Sequence, residues 1–282
     1  MRVSLYPFGV ANEGESRRWN DQRWTDAWPQ RERLTEAVTP YVIDAAGVRP
    51  GHRVCDIGCG GGGLTIALGG MVGPDDEVVG YDVSAPLLEL ARARADRAGH
   101  SNVRFVEADI QVSAFNGAAF DLAVSQFGVM FFDEPTAAFT AIRRLLVPDG
   151  RFVFACWQGV ERNPWHTGVA LRKLLPPPRT PEPGKSPVGP FALGDDEYVR
   201  ELLEAAGYVG VVGTAHEAKV RAPASAVADK GLLSFMGVAP EDHDEAIAVL
   251  DRHLAQFMVD GAAGTDVYEY PLAFMVYEAR NP

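Results

Sequence analysis

Apolar residues along this chain come in short runs separated by stretches with helical spacing, and that alternation predicts an α/β fold. The runs at Val54-Cys55-Asp56-Ile57, Val78-Val79, Val103 to Glu107, Phe120 to Ser125 and Arg151 to Trp157 read as strands. Between them, Leu64 to Leu68 reads as a helix. So does Ala85 to Ala98, with Leu87, Leu90 and Ala91 on one face and Gly99 as its stop. A further helix carries Phe139, Ile142 and Leu145 inward, with Asp133 as its expected cap and Arg143 and Arg144 in its last turn. Pro148-Asp149-Gly150 is expected to be a turn.

The second half is less regular. A proline-rich stretch between Gln158 and Gly194 cannot hold a helix through its middle and is expected to be a surface loop or linker. Asp195 to Ala206 then reads as a helix stopped by Gly207, Tyr208 to Val212 as a strand, and Tyr268 to Glu278 as the last strand. Pro223 to Ala263 is too long for a hairpin connection, and Ile247, Leu250, Leu254 and Met258 give it a helical pattern. A doubly wound sheet with an inserted helical cap accounts for this order.

The chemistry concentrates after the first strand. Gly58, Cys59 and the glycines Gly60, Gly61, Gly62 and Gly63 form a tight turn that lets a ligand touch backbone, and the helix start adds free N–H groups. Asp82 ends the second strand, with Val83 beside it, where a carboxylate can take both hydroxyls of a ribose. Gly58, Gly60 and Gly63 also satisfy the dinucleotide fingerprint, with Asp82 about twenty residues on. Asp56 argues otherwise, because a pyrophosphate would meet a carboxylate there. S-adenosylmethionine (SAM) carries an ammonium and a sulfonium, which Asp56 favours, and Asp56 also suits bonding to N–H groups of the loop. At the end of the third strand, Asp109 can accept from an adenine amino group while Ile110 packs on the ring.

This order of motifs resembles the class I SAM-dependent methyltransferases, and most closely the small-molecule type of ubiquinone and menaquinone biosynthesis. The resemblance covers residues 50 to 157. It implies a Rossmann-like seven-stranded sheet with the last strand antiparallel. It further implies that Asp56, Gly58, Gly60 and Gly62 hold the methionyl part, Asp82 the ribose, and Asp109 with Ile110 the adenine. Ser125, Gln126 and Phe127, in the fourth-strand segment, would then lie beside the transferring methyl group. No Asn-Pro-Pro-Tyr-like pattern follows that strand, so the nucleic-acid amino-methylating enzymes match poorly, and the metal-binding carboxylates of catechol-type enzymes are not seen.

The resemblance also implies an N-terminal helix over the cofactor, so Trp19, Trp24 and Trp28 either line a lid or acceptor pocket or simply pack that helix on the core. Arg31, Glu32 and Arg33 are expected to start the next helix. The resulting plan is a lid (1–48), a SAM-binding core (49–158, 195–222 and 264–282), a linker (159–194) and a cap (223–263).

Composition changes this picture little. Lys+Arg 26 against Asp+Glu 38 gives a net charge of −12, which disfavours nucleic acid and anionic membranes as partners. Arg92, Arg94 and Arg97 are expected to be a solvated helix face. Three cysteines make no disulfide framework, no Cys/His spacing looks like a metal site, and Met1 to Ser16 lacks an apolar signal core. The expectation is a cytoplasmic monomer or homodimer that methylates a small organic acceptor by alignment and desolvation. His166, following Asn163-Pro164-Trp165, is the candidate base, and Gln126 the residue that orients acceptor or methyl group. The alternatives are an NAD(P)-dependent oxidoreductase, weakened by Asp56 and by the lack of a Tyr-x-x-x-Lys pair, and a non-catalytic SAM-binding protein.

Overall fold

The computed structural model describes residues 13–113, 117–176, 186–223, 229–259 and 267–282. Parts of the expected linker (177–185) and cap (224–228 and 260–263), and the first twelve residues of the expected lid, lie outside the described residues. Helices α1 (Glu13–Trp19), α2 (Gln22–Thr35) and α3 (Thr39–Ala46) precede the core. Then follow β1 (Val54–Ile57), α4 (Gly63–Gly69), β2 (Val78–Asp82), α5 (Ala85–Ala98), β3 (Val103–Glu107) and β4 (Phe120–Gln126). After them come α6 (Pro135–Leu145), β5 (Leu146–Trp157), α7 (Thr167–Ala170), α8 (Asp196–Ala205) and β6 (Val209–Ala222). The chain ends with α9 (Lys230–Met236), α10 (His243–Leu254), β7 (Met258–Val259) and β8 (Val267–Arg280).

The sheet runs β3-β2-β1-β4-β5-β8-β6. The first five strands are parallel, and β8 is antiparallel to both β5 and β6. Every residue of β1 is buried, as a parallel strand covered by helices on both faces requires. The winding reverses between β1 and β4, so a crevice opens beyond their C-terminal ends, where this class of sheet binds ligands. On the far side, Phe139, Phe152, Phe154 and Tyr277 form a fully buried aromatic stack, with Phe152 and Phe154 centroids 4.8 Å apart. Burying one such ring contributes about 2–3 kcal/mol, so this block makes β4, β5 and β8 a rigid floor for the crevice.

Several expectations change. Asp133 does not cap α6; Glu134 holds the cap position, and its side chain makes no capping bond. Pro148-Asp149-Gly150 is a kink inside β5, with Asp149 at φ 64°, because Asn281 donates to the carbonyls of Leu146 and Val147 and keeps that stretch in the sheet. Strand β6 extends to Ala222, and the two-residue β7 makes eight strands where seven were expected. Met258 starts that strand, since a 3-10 turn at Ala255–Phe257 ends the helical pattern of Ile247, Leu250 and Leu254. Arg31, Glu32 and Arg33 sit in the second half of α2 rather than at the start of a helix.

The expected surface linker is in part an inward wall: Trp165, Leu171 and Leu193 are buried. A single side chain holds its first bend. Asn163, fully buried, donates from Nδ2 to the carbonyls of Gln158 (3.1 Å) and Ala273 (2.9 Å). Its Oδ1 accepts from the Ala273 N–H (3.0 Å) and from Trp165 Nε1 (3.2 Å). Asn163→Ala strands these buried groups without partners and is expected to cost about 2–4 kcal/mol. Urea unfolding should give a lower midpoint at unchanged slope; a midpoint equal to the parent's would refute the clamp.

Candidate active site

The crevice beyond β1 and β4 is a single cavity of about 1360 Å³. Its cofactor end is built around the glycine turn. Tyr81, at the end of β2, accepts through its carbonyl from the Gly58 and Cys59 N–H groups (2.8 and 3.0 Å), which pins the turn to the next strand. Gly58 has φ +69°, and a Cβ there would stand 2.7 Å from the Gly128 Cα, so the two backbones meet with no room for a side chain. The Asp82 carboxylate closes the turn. Its Oδ2 accepts from the Gly60 N–H (2.8 Å) and its Oδ1 from the Ser84 N–H (2.9 Å). The carboxylate also lines the cavity.

The N-terminal helices close over this turn. Ser84 Oγ donates to the Trp19 carbonyl (2.7 Å). Asn20 accepts from the Ala85 N–H (3.1 Å) and donates to the Val83 carbonyl (3.0 Å). The Trp28 ring lies on Gly60 and Gly61, where any Cβ would collide with it. Arg94 Nη1 bridges Glu32 of α2 (2.6 Å) and the Gly61 carbonyl (2.9 Å). Arg94 therefore ties lid to loop and is not part of a solvated face.

Asp56, at 1% exposure, accepts from Thr65 Oγ1 (2.6 Å) and lines the cavity. Burial, reinforced by the neighbouring Asp82 charge, pushes its carboxyl up to about 7 against the opposing Thr65 bond. Burial also pushes the Asp82 carboxyl up. A pyrophosphate brought against these two acids would be repelled, whereas a cationic ligand favours their ionised forms. Asp109 Oδ1 accepts from the Gln111 N–H (2.9 Å), and Ile110 is buried beside it; both line the cavity.

A family profile described as a methyltransferase domain matches residues 54–150. Ubiquinone/menaquinone biosynthesis C-methyltransferase UbiE of Ectopseudomonas mendocina (strain ymp) is 37% identical over 114 residues, covering 40% of this chain and 44% of UbiE. The match thus spans less than half the length of that relative. Nocamycin O-methyltransferase of Saccharothrix syringae is 26% identical over 261 residues, covering 86% of this chain and 91% of its own. Residues 54–150 are thus similar to a methyltransferase domain. The chain's fold is shared by a solved phosphoethanolamine N-methyltransferase 2 of Haemonchus contortus in complex with S-adenosyl-L-methionine. That likeness has a TM-score of 0.53 at 15% identity, over 87% of this chain and 52% of that one.

Within the methyltransferase domain, Asp56, Gly58, Gly60, Asp82, Val83, Asp109, Ile110 and Gln126 all line the one cavity. Two expected cofactor residues do not. Ser125 is fully buried and its hydroxyl donates to the Ile57 carbonyl (2.7 Å), locking β4 to β1. Gly62 packs against Ala91 and Phe105 at the start of α4, and Gly63 lines the cavity in its place. Asp56 bonds the helix residue Thr65, while Asp82 takes the loop N–H that was expected for Asp56.

Towards the other end of the cavity, Gln126 Nε2 donates to the Thr35 carbonyl (3.1 Å), leaving Oε1 buried without a protein partner. Phe127 holds a left-handed φ of 63° and stacks on Trp157 at 3.9 Å. That backbone costs about 1–2 kcal/mol, and the stack holds it in place. His166 lies against Phe191 at 4.8 Å; burial pushes its pKa down to about 4, and Nδ1 has no protein partner. The tying roles of Asn20 and Arg94 had no signal in the sequence, because nothing marks one polar residue among many as bonding to a distant loop. Among the described residues no group of three or more His, Cys, Asp or Glu could hold a metal, and no helix is long and apolar enough to cross a membrane.

The raised Asp56 carboxyl fixes a pH dependence. Between its ordinary value near 3.8 and about 7, the folded protein binds the extra proton, so this group's contribution to stability falls as pH rises through that window. His166, with its folded value lowered to about 4, works in the opposite direction over an overlapping window, so the test is a difference between proteins. From pH 5 to pH 8 the urea midpoint of Asp56→Asn should change more favourably than the parent's, and an equal change in the two would place the proton elsewhere.

Proposed function

We propose that this chain moves the methyl group of SAM to an oxygen of a small, largely apolar acceptor. The observation that carries this reading is the continuity of the cavity. At about 1360 Å³ it exceeds the usual volume for one drug-sized ligand, roughly 300–1,000 Å³. It runs from the ribose acid to walls of Trp157, Trp165, Leu232 and Met236. A non-catalytic SAM-binding protein would need that second half blocked, and an oxidoreductase would set a pyrophosphate against Asp56. Oxygen is favoured as the acceptor atom because the relative named an O-methyltransferase matches across the acceptor-side segments, while the UbiE match covers only 114 residues.

When bound, SAM supplies a methyl carbon already activated by its sulfonium. The residues of this chain would do the rest. Asp82 would hold the ribose hydroxyls, Asp109 and Ile110 the adenine, and Asp56 with the glycine turn the methionyl end. Trp19, Trp24 and Trp28 would exclude water from above, and alignment in a dry site supplies much of the rate. Gln126 Oε1 would orient the acceptor. His166, neutral near pH 7, would take the acceptor proton or fix the acceptor's tilt. A cytoplasmic location belongs to the same reading.

Calorimetric titration with SAM, S-adenosylhomocysteine and NADH tests it: binding of the first two and not the third is expected, and NADH binding alone would overturn it. Asp82→Ala should weaken S-adenosylhomocysteine by about 2 kcal/mol, roughly 30-fold. Unchanged affinity would remove the ribose role. His166→Ala should lower turnover at unchanged SAM affinity, and the parent's rate should show no histidine-like fall between pH 8 and pH 5. Full activity in the variant would take His166 out of the reaction.

A further inference from the structure

Arg31 lies in the same cavity and has no part in the roles above. It sits one turn beyond Trp28 on α2, with a side chain only 13% exposed, and its guanidinium carbon lies 5.0 Å above the centre of the Trp24 ring. Among the described residues its ion-pair partner is Asp229 at 3.8 Å, beyond hydrogen-bond reach. Asp229 Oδ1 caps α9 by accepting from the Leu232 N–H (2.8 Å), and its Oδ2 is the oxygen that faces Arg31. Among the described residues the buried Arg31 Nε has no hydrogen-bond partner.

The other cations on the wall differ. Arg94 holds Glu32 at 2.6 Å, Arg18 holds Glu15 at 3.5 Å, and Arg172 is exposed. The desolvation of Arg31 outweighs the field of Asp229, so its charge is only partly compensated by the protein. A guanidinium stays ionised even when buried, and its planar fork suits a two-oxygen anion.

Its place in the cavity says whose anion. Trp28 and Glu32 are the α2 residues that meet the glycine turn. Arg31 points from the other flank towards α9, whose Leu232 and Met236 are cavity walls. Of the acidic wall residues near it in the chain, Glu32 pairs with Arg94 and Glu15 with Arg18.

We propose that Arg31 anchors an anionic oxygen of the acceptor, so that the substrates are weak organic acids (carboxylic, enolic or phenolic) on a flat apolar body. This rests on the methyltransferase reading and names the substrate class of the same site. A buried histidine of low basicity fits such acceptors, which lose a proton without a strong base.

The test uses benzoate and its neutral isostere benzamide as probes, titrated into the full chain saturated with S-adenosylhomocysteine. Benzoate should bind at least tenfold more tightly than benzamide. Arg31→Met should abolish that preference, Arg31→Lys should retain part of it, and both variants should keep S-adenosylhomocysteine affinity within about threefold of the parent. Equal binding of the two probes by the parent would overturn the proposal without touching the cofactor assignment. A tenfold loss of S-adenosylhomocysteine affinity in both variants would also overturn it, by giving Arg31 to the cofactor's own carboxylate. Failure of the parent to bind S-adenosylhomocysteine would instead sink the methyltransferase reading.

Discussion

Everything in the crevice depends on the Asp82 carboxylate accepting two backbone N–H groups, from Gly60 on one side and Ser84 on the other. The glycine turn has no side chains of its own to hold it, so its shape comes from outside: from the Tyr81 carbonyl below and Asp82 beside it. The same two bonds set the start of α5, because Ser84 is that helix's N-cap. One acid thus fixes the turn, the helix entrance and the point where a ribose would arrive. Bonds to an ionised carboxylate are about twice as strong as neutral ones, which suits a group that must stay put in a buried place.

From Ser84 the constraint passes to the lid. The Ser84 hydroxyl and the Val83 and Ala85 backbone groups are taken up by Trp19 and Asn20, and Arg94 repeats the arrangement on the other side of the turn through Glu32. The N-terminal helices are therefore bonded to the glycine turn and the start of α5 rather than merely packed over the core. Trp28 packs on the glycine turn, and Trp19, Trp24 and Trp28 all line the cavity.

What was legible in the sequence follows from how local each signal is. Helix α5 has a Ser cap, an apolar face and a glycine stop, and the structure places it at the expected residues, Ala85–Ala98. The parallel strands were legible as apolar runs, and Asp56, Asp82 and Asp109 as acids at strand ends. Errors came where distant contacts decide. Asn281 pulls Pro148 to Gly150 into the sheet, Asn163 folds the proline-rich stretch inward, and Ser125 turns to the neighbouring strand's carbonyl. Arg94 looked like one of three solvent arginines because helical spacing says which face a residue occupies, not what approaches that face. No periodicity could single out Arg31 either, since its meaning lies in a partner that stays 3.8 Å away.

The charges of the crevice have a common logic. Two buried acids sit side by side at the cofactor end, each with its carboxyl pushed up by burial, and a buried cation with partial compensation sits on the cap side. Neither arrangement is favourable in the ligand-free protein, where desolvation opposes every one of these charges. A cationic ligand would relieve the first, and an anionic ligand the second. A site whose own charges are left uncompensated gains binding energy only from ligands of the right sign at each end. Discrimination between ligands would then be set by electrostatics at the two ends.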